Sequence, residues 1–366
     1  HTYPVSVKNP LNQTISWTYD YRLGVPVSET DPNGAVTTAV YDDFGRLVKL
    51  VRPGDDSANP TLLVSYSNRA PFETTIRQRL DGNRYFGIRR VYDGMGRQVL
   101  QQSGNGTAYG ALAVFNTVDT QYVSAYETWQ SVPYANGVVN DDYTKTVVDP
   151  VARSTTVTAP DGSWTKTVVN GLTTIVTDPA GRFTTSRADA WGRVVKIEPP
   201  AGPRVGYVYD KTGQLLKAIR ATDSVVNACL ANPNGQNCPE DSTVSLDYDM
   251  AGRKIAMSDP DMGDWSYEYD ALGSLTLQTD ARGCSQTLSY DLLNRLKTKT
   301  ASVGCGEMPV VGTAGENVIY GYDQGTNGIG RRTAMQDAST GSGATSWTYD
   351  ARGRMTLENK IIDGQT

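Results

Sequence analysis

Carboxylates are the most plentiful groups in this 366-residue chain that could do chemistry. Adjacent pairs stand at Asp55-Asp56, Asp141-Asp142 and Glu240-Asp241, and Asp259, Asp261 and Asp264 form a looser cluster. Glycoside hydrolysis needs two carboxyl groups at a set separation, one as acid and the other as base or nucleophile. Calcium needs a shell of oxygen ligands, but the Asp259 cluster lacks the glycine and the closing glutamate of an EF-hand loop. The sole histidine is His1, which removes Ser-His-Asp and Cys-His catalysis and most histidine metal sites. No phosphate loop, dinucleotide fingerprint or zincin motif is present. No catalytic residue, metal or cofactor is therefore expected.

The aspartates have another reason for their positions. Nine of the 21 tyrosines are followed directly by aspartate, and most of these pairs open one phrase, Tyr-Asp-x-x-Gly-Arg. It is whole at Tyr41-Asp42 with Gly45-Arg46, Tyr92-Asp93 with Gly96-Arg97, Tyr248-Asp249 with Gly252-Arg253, and Tyr349-Asp350 with Gly353-Arg354. Tyr269-Asp270 with Gly273 lacks the arginine, and Tyr290-Asp291 has Asn294 in place of glycine. Aspartate at a turn corner accepts hydrogen bonds from backbone two or more residues on. Glycine three residues later takes the left-handed conformation that a side chain resists. Together they predict a hairpin loop built on a type I turn and closed by a glycine bulge. The arginine can lay its stem over its neighbours or pair with the aspartate. On this reading, valine at Gly252 or Gly273 costs more than losing the hydroxyl of Tyr248 or Tyr269.

A second turn phrase alternates with the first: Asp31-Pro32-Asn33-Gly34, Asp178-Pro179-Ala180-Gly181, Asp280-Ala281-Arg282-Gly283 and the longer Asp259-Pro260-Asp261-Met262-Gly263. From Asp249 the turns begin at Asp259, Asp270, Asp280 and Asp291, steps of 10, 11, 10 and 11 residues. Each step holds one short strand and one turn. Successive turns must then lie at opposite edges of an antiparallel meander. The fold class is all-β: tandem hairpins in a long curved sheet.

These motifs resemble the YD, or RHS, repeat proteins, which include bacterial Rhs toxins, the B and C components of Tc toxin complexes and the teneurins. The stretch from Trp17 through Asp31-Pro32-Asn33-Gly34 to Arg46 is especially similar to Tc-type repeats. The resemblance implies a sheet spiralling into a hollow shell around a toxic C-terminal segment, in a secreted or surface-delivered bacterial protein. Its partners would be the rest of that shell and the enclosed toxin. The family's self-cleaving core motif is not recognisable here, so no protease activity carries over. The reading is one repeat domain over 1–366, a fragment of a longer protein, with irregular inserts near 101–145, 222–242 and 301–318.

Composition agrees with a broad wet sheet. Hydrophobic residues make up 38%, mean hydropathy is −0.43, and there are 36 glycines. No sustained helical periodicity is found. A net charge of −5 argues against nucleic acid, which demands a basic face, and no apolar run is long enough to span a membrane. Cys229 and Cys238 bracket a Pro/Asn/Gly loop, and Cys284 and Cys305 flank a hairpin-length stretch. Each pair can form a disulfide, or all four can remain thiols. An alternative function is a carbohydrate-binding adhesive surface, with Trp191 and Trp265 stacking on sugar rings.

Overall fold

A computed structural model describes residues 3–233, 238–302, 317–337 and 343–362. The first strands are β1 (Ser6–Lys8), β2 (Thr14–Asp20), β3 (Val25–Thr30), β4 (Val36–Tyr41), β5 (Leu47–Val51), β6 (Leu62–Tyr66), β7 (Phe72–Asp81), β8 (Arg84–Tyr92) and β9 (Gln98–Gly106). Then come β10 (Ala113–Tyr122), β11 (Glu127–Ser131), β12 (Tyr143–Asp149), β13 (Ser154–Thr158), β14 (Trp164–Asn170), β15 (Thr173–Thr177), β16 (Phe183–Ala188), β17 (Val194–Glu198), β18 (Arg204–Tyr209) and β19 (Leu215–Ala221). A helix, α1 (Asp223–Ala231), precedes β20 (Thr243–Tyr248), β21 (Lys254–Asp259), β22 (Gly263–Tyr269), β23 (Leu275–Thr279) and β24 (Ser285–Tyr290). The last strands are β25 (Leu296–Ala301), β26 (Asn317–Tyr322), β27 (Arg332–Asp337), β28 (Gly343–Tyr349) and β29 (Met355–Ile361).

All 29 strands belong to one antiparallel sheet, and each pairs with its neighbours in sequence. Turns therefore fall alternately on two edges. Most of those after even-numbered strands (even turns) hold the Tyr-Asp phrase or a variant, and many of those after odd-numbered strands (odd turns) hold the Asp-Pro phrase and its relatives. The segment 101–145, read as irregular, carries most of β9, β10 and β11. Its repeat had been hidden by longer strands and by the absence of the aspartate turn. The segment 222–242 is an insert at an odd turn and carries the short helix α1, which no sustained periodicity announces. Nine residues are too few to show a clear 3.6-residue period.

Helix α1 folds back over β18 and β19, where Val208, Ile219, Val226 and Cys229 form the larger buried cluster. Gly206 lets it approach: a Cβ there would lie 2.7 Å from Val226. Lys196, nearly buried beneath the insert, is held by Glu198 at 2.5 Å and by Asp223 in the first turn of α1 at 2.6 Å. Burial pushes the ammonium pKa down, but the hydrogen bonds it donates to those two carboxylates leave the pKa raised. A smaller cluster joins Leu63, Tyr85 and Ala108. Elsewhere the sheet has little hydrophobic core, so its hairpins must be held together in another way.

Candidate functional site: the even-turn edge and its seam

Most even turns are built around an aspartate. Asp42 Oδ1 accepts from the backbone N–H groups of Phe44 and Arg46, both at 3.0 Å, and Oδ2 accepts from Arg46 Nε at 2.7 Å. The same three bonds recur at Asp93, Asp249 and Asp350, while Asp270, with Ser274 instead of arginine, keeps only the two to backbone. Asp249 and Asp93 are held below the ordinary carboxylate range, first by the backbone N–H of Arg253 and of Arg97 respectively. Gly252 has φ +82° and Gly273 has φ +90°, and Asn294 takes the same left-handed conformation at +59°. Next to each tyrosine the ladder slips by one residue, as between Val40/Lys49 and Tyr41/Leu47.

The tyrosine acts on the preceding hairpin. Several ladders across odd turns stop short of the even edge: β17 and β18 pair only through Lys196↔Gly206 and Ile197↔Val205, whereas β18 and β19 pair from Arg204↔Ala221 to Tyr209↔Leu215. Adjacent hairpins thus splay apart towards the even edge, and carbonyls there lose their strand partner. The tyrosine fills this wedge. Tyr209 Oη donates to Val194 O at 3.0 Å, Tyr269 to Lys254 O at 2.8 Å, and Tyr349 to Arg332 O at 2.6 Å. Tyr66, Tyr122, Tyr290 and Tyr322 do the same. The arginine of the earlier turn lies over the ring, Arg46 on Tyr66 at 4.3 Å, Arg97 on Tyr122 at 4.1 Å and Arg253 on Tyr269 at 5.0 Å. A carbonyl that would otherwise be orphaned is satisfied, and a cation–π contact worth about 0.5–1 kcal/mol is added. Tyr41 and Tyr248 follow turns without the arginine, and their hydroxyls find no partner among the described residues. Tyr248 and Tyr269, grouped together from the sequence, thus differ in whether the hydroxyl has a partner. Tyr66 and Tyr122 precede Ser67 and Val123, so the clasp persists where the Tyr-Asp pair does not.

A second set of contacts joins segments about 300 residues apart. Asn33, in the odd turn after β3, donates to Ile329 O at 3.1 Å and accepts from Ile329 N at 2.9 Å, in the even turn after β26. Arg352, after β28, donates to Pro53 O at 2.7 Å and pairs with Asp55, after β5. Leu11, after β1, lines a groove with Leu272, Leu288 and Leu292 around the turns after β22 and β24. The offset is constant: 26 − 3 and 28 − 5 are both 23 strands, and Leu11 fits it. The sheet therefore coils until its odd edge meets its own even edge. Asp55, with a side chain 3% exposed, is the hub of this seam, bound also by Arg79 and by Thr61 Oγ1 at 2.6 Å. Its desolvation raises the carboxyl pKa, but the Thr61 hydroxyl and the Arg352 guanidinium outweigh it and hold the group low.

The remaining candidate residues separate from this edge. Cys229 and Cys238 form a disulfide that ties the end of α1 to the returning chain. Cys284 is not a free thiol, and Cys305 lies outside the described residues. Trp191 is 81% exposed at an even-turn corner, whereas Trp265 stacks on Tyr267 with its indole N–H on Met262 O. Six strands separate β16 from β22, about 28 Å at the usual spacing, so the two cannot grip one sugar ring. Asp259 is engaged by the N–H groups of Asp261 and Met262, as a turn requires. Among the described residues no cluster suited to a metal is found, and no helix is long and apolar enough to cross a membrane. Sequence reasoning missed Asn33, Asp55 and Arg352 as seam residues, because only the spiral brings them together.

The sequence model of the RHS Repeat family matches residues 22–57. The chain thus carries an RHS repeat at its N-terminal end. A search of curated protein sequences finds no match to it. Its fold is similar to that of the TcdB2-TccC3 crystal structure, at TM-score 0.72 and 18% identity, over 98% of this chain and 21% of that one. The Photorhabdus luminescens Tc holotoxin pore with TccC3-D651A gives TM-score 0.72 and 16% identity, over 98% and 23% of the two chains. TcdB2-TccC3 without its hypervariable C-terminal region gives 0.61 and 15%, over 99% and 27%. The chain thus spans about a quarter of the length of the chains it resembles.

Proposed function

We propose that this RHS-repeat chain is a non-enzymatic wall segment of a shell that encloses a toxic cargo in a secreted or surface-delivered bacterial protein. The observation that carries the reading is the 23-strand seam. At about 4.8 Å between strands, 23 strands make a path of roughly 110 Å, a ring about 35 Å across at the backbone. Barrels of about 16–18 strands already leave an aqueous channel, so such a coil surrounds a lumen rather than a packed core. The recurring geometry of turn and clasp, with the seam, builds the wall, and its aspartates are spent on backbone and arginine partners rather than held ready for chemistry. The likeness to the Tc toxin structures favours cargo enclosure over a sugar-binding face, and the six strands between the elements that carry Trp191 and Trp265 do not favour the latter. Small-angle scattering tests the coil. An enclosed ring is expected, whereas a maximum dimension near the roughly 140 Å of 29 strands laid side by side would reject it.

A further inference from the structure

Helix α1 overhangs a cleft of about 630 Å³, within the roughly 300–1,000 Å³ usual for small-molecule sites. The floor is the face of β16–β18 that α1 covers, where Arg187 stands opposite Lys196 and Lys196 opposite Gly206. Asn227 and Ala231 on one flank of the helix, with Pro233 beyond its end, form the overhang. The packing of α1 does not use this flank: Val226 and Cys229 face the cluster with Val208 and Ile219, while Asn227 and Ala231 are exposed. An insert is where one unit of a repeat wall departs from its neighbours, and inserts of this kind often build the binding face.

The charges around the cleft do not cancel. Arg193 pairs with Asp189, and Lys196 pairs with Glu198 and with Asp223, which also lies 4.0 Å from Arg204. Arg187 lines the cleft with no hydrogen bond or ion pair among the described residues. Four cations thus face three carboxylates, a local +1 in a chain of net charge −5. Arg187 also stands directly across from the Lys196 ammonium, and like charges so placed are destabilising. A bound anion would offset that cost. The guanidinium presents a planar fork that fits a carboxylate. Of the three N–H groups on Lys196 Nζ, two serve Glu198 and Asp223, so one remains. Beside these polar groups the lining is largely apolar, with Leu172, Val195, Val208 and Leu230. We infer that the cleft binds a small amphipathic monoanion, a carboxylate on an apolar body, and that Arg187 selects its charge. The carboxylate sits on Arg187 and the remaining N–H of Lys196, and the body lies under α1 against Val195, Val208 and Leu230. These residues belong to β16–β18 and α1, so the site does not depend on the coiling of the sheet.

Equilibrium dialysis of the full chain against naphthalene-2-carboxylate, with naphthalene-2-carboxamide as the neutral isostere, tests it. The expected result is saturable binding of one carboxylate per chain, with the amide at least tenfold weaker. Arg187→Gln should weaken the carboxylate at least tenfold and leave the amide unchanged. Ala231→Trp, which fills the space under the overhang, should weaken both. Arg187 and Ala231 are exposed, so both variants are expected to fold, with circular dichroism that matches the parent. Absence of saturable binding overturns the inference. So does equal affinity of the parent for acid and amide, a comparison that needs no variant. Carboxylate binding unchanged in Arg187→Gln or in Ala231→Trp puts the ligand elsewhere on the chain and overturns it too.

Discussion

Removing the hydroxyl of Tyr269 should have a different effect from removing that of Tyr248, although both sit in the same phrase. Tyr269 Oη donates to Lys254 O at 2.8 Å, in the wedge where β21 and β22 have parted towards the even edge. In Tyr269→Phe the ring remains, so the Arg253 contact at 5.0 Å and most of the burial survive. The loss is one hydrogen bond to a half-buried carbonyl, about 0.5–1.5 kcal/mol. Tyr248 follows Gln214 and the α1 insert, and its hydroxyl has no partner among the described residues, so Tyr248→Phe should change stability little. Each hairpin touches mainly its neighbours, so the effect should be read locally. Native-state hydrogen exchange across β21–β23 should speed about two- to twelvefold in Tyr269→Phe, the ratio that 0.5–1.5 kcal/mol implies. Equal acceleration around the two sites would refute the clasp, since the hydroxyl's partner is the only difference it assigns between them.

Gly273→Val should cost about 1–3 kcal/mol for a β-branched residue at positive φ, although the space around it is open. Gly252→Val should cost about the same 1–3 kcal/mol, because the Gln214 amide that its Cβ would meet at 2.6 Å ends a flexible side chain that can move aside; denaturation of both variants gives the comparison. Acid should open the seam: the folded-state pKa of Asp55 is depressed, so its contribution is full above the unfolded value near 3.8 and is lost as pH falls through the lower folded value. Scattering at falling pH should show the coil loosening only below about pH 4, and Arg352→Ala should loosen it at neutral pH. Reducing the Cys229–Cys238 bond, which closes a short loop, should lower local stability by about 2–3 kcal/mol, seen as faster exchange in α1 and β19.

Strand order, the alternation of edges and the aspartate turns were legible because they are local. Asp42, Gly45 and Arg46 fix one another within five residues, and the 10- and 11-residue steps repeat that unit. The tyrosine's partner was not legible, since it lies one hairpin back and depends on a splay that no periodicity records. Trp191 and Trp265 looked alike as aromatics, yet one tops a turn corner and the other is stacked within the sheet. The seam was hidden altogether. Asp55 read as half of a carboxylate pair and Asn33 as a turn residue, and nothing in their surroundings points to Arg352 or Ile329 some 300 residues away.

The constant offset of 23 strands makes the coil count its own repeats. An open solenoid tolerates one unit more or less, because each unit answers only to its neighbours. Here the addition of a single hairpin anywhere between β6 and β26 would advance every later turn by two strands. Asn33 would then face a different corner, and Arg352 would be carried past Asp55 even though each local turn stayed intact. Repeat number is thus set like a combination lock, by agreement between distant positions. Length change in such a wall must come through the odd-turn loops, where α1 already sits, rather than through gain or loss of hairpins.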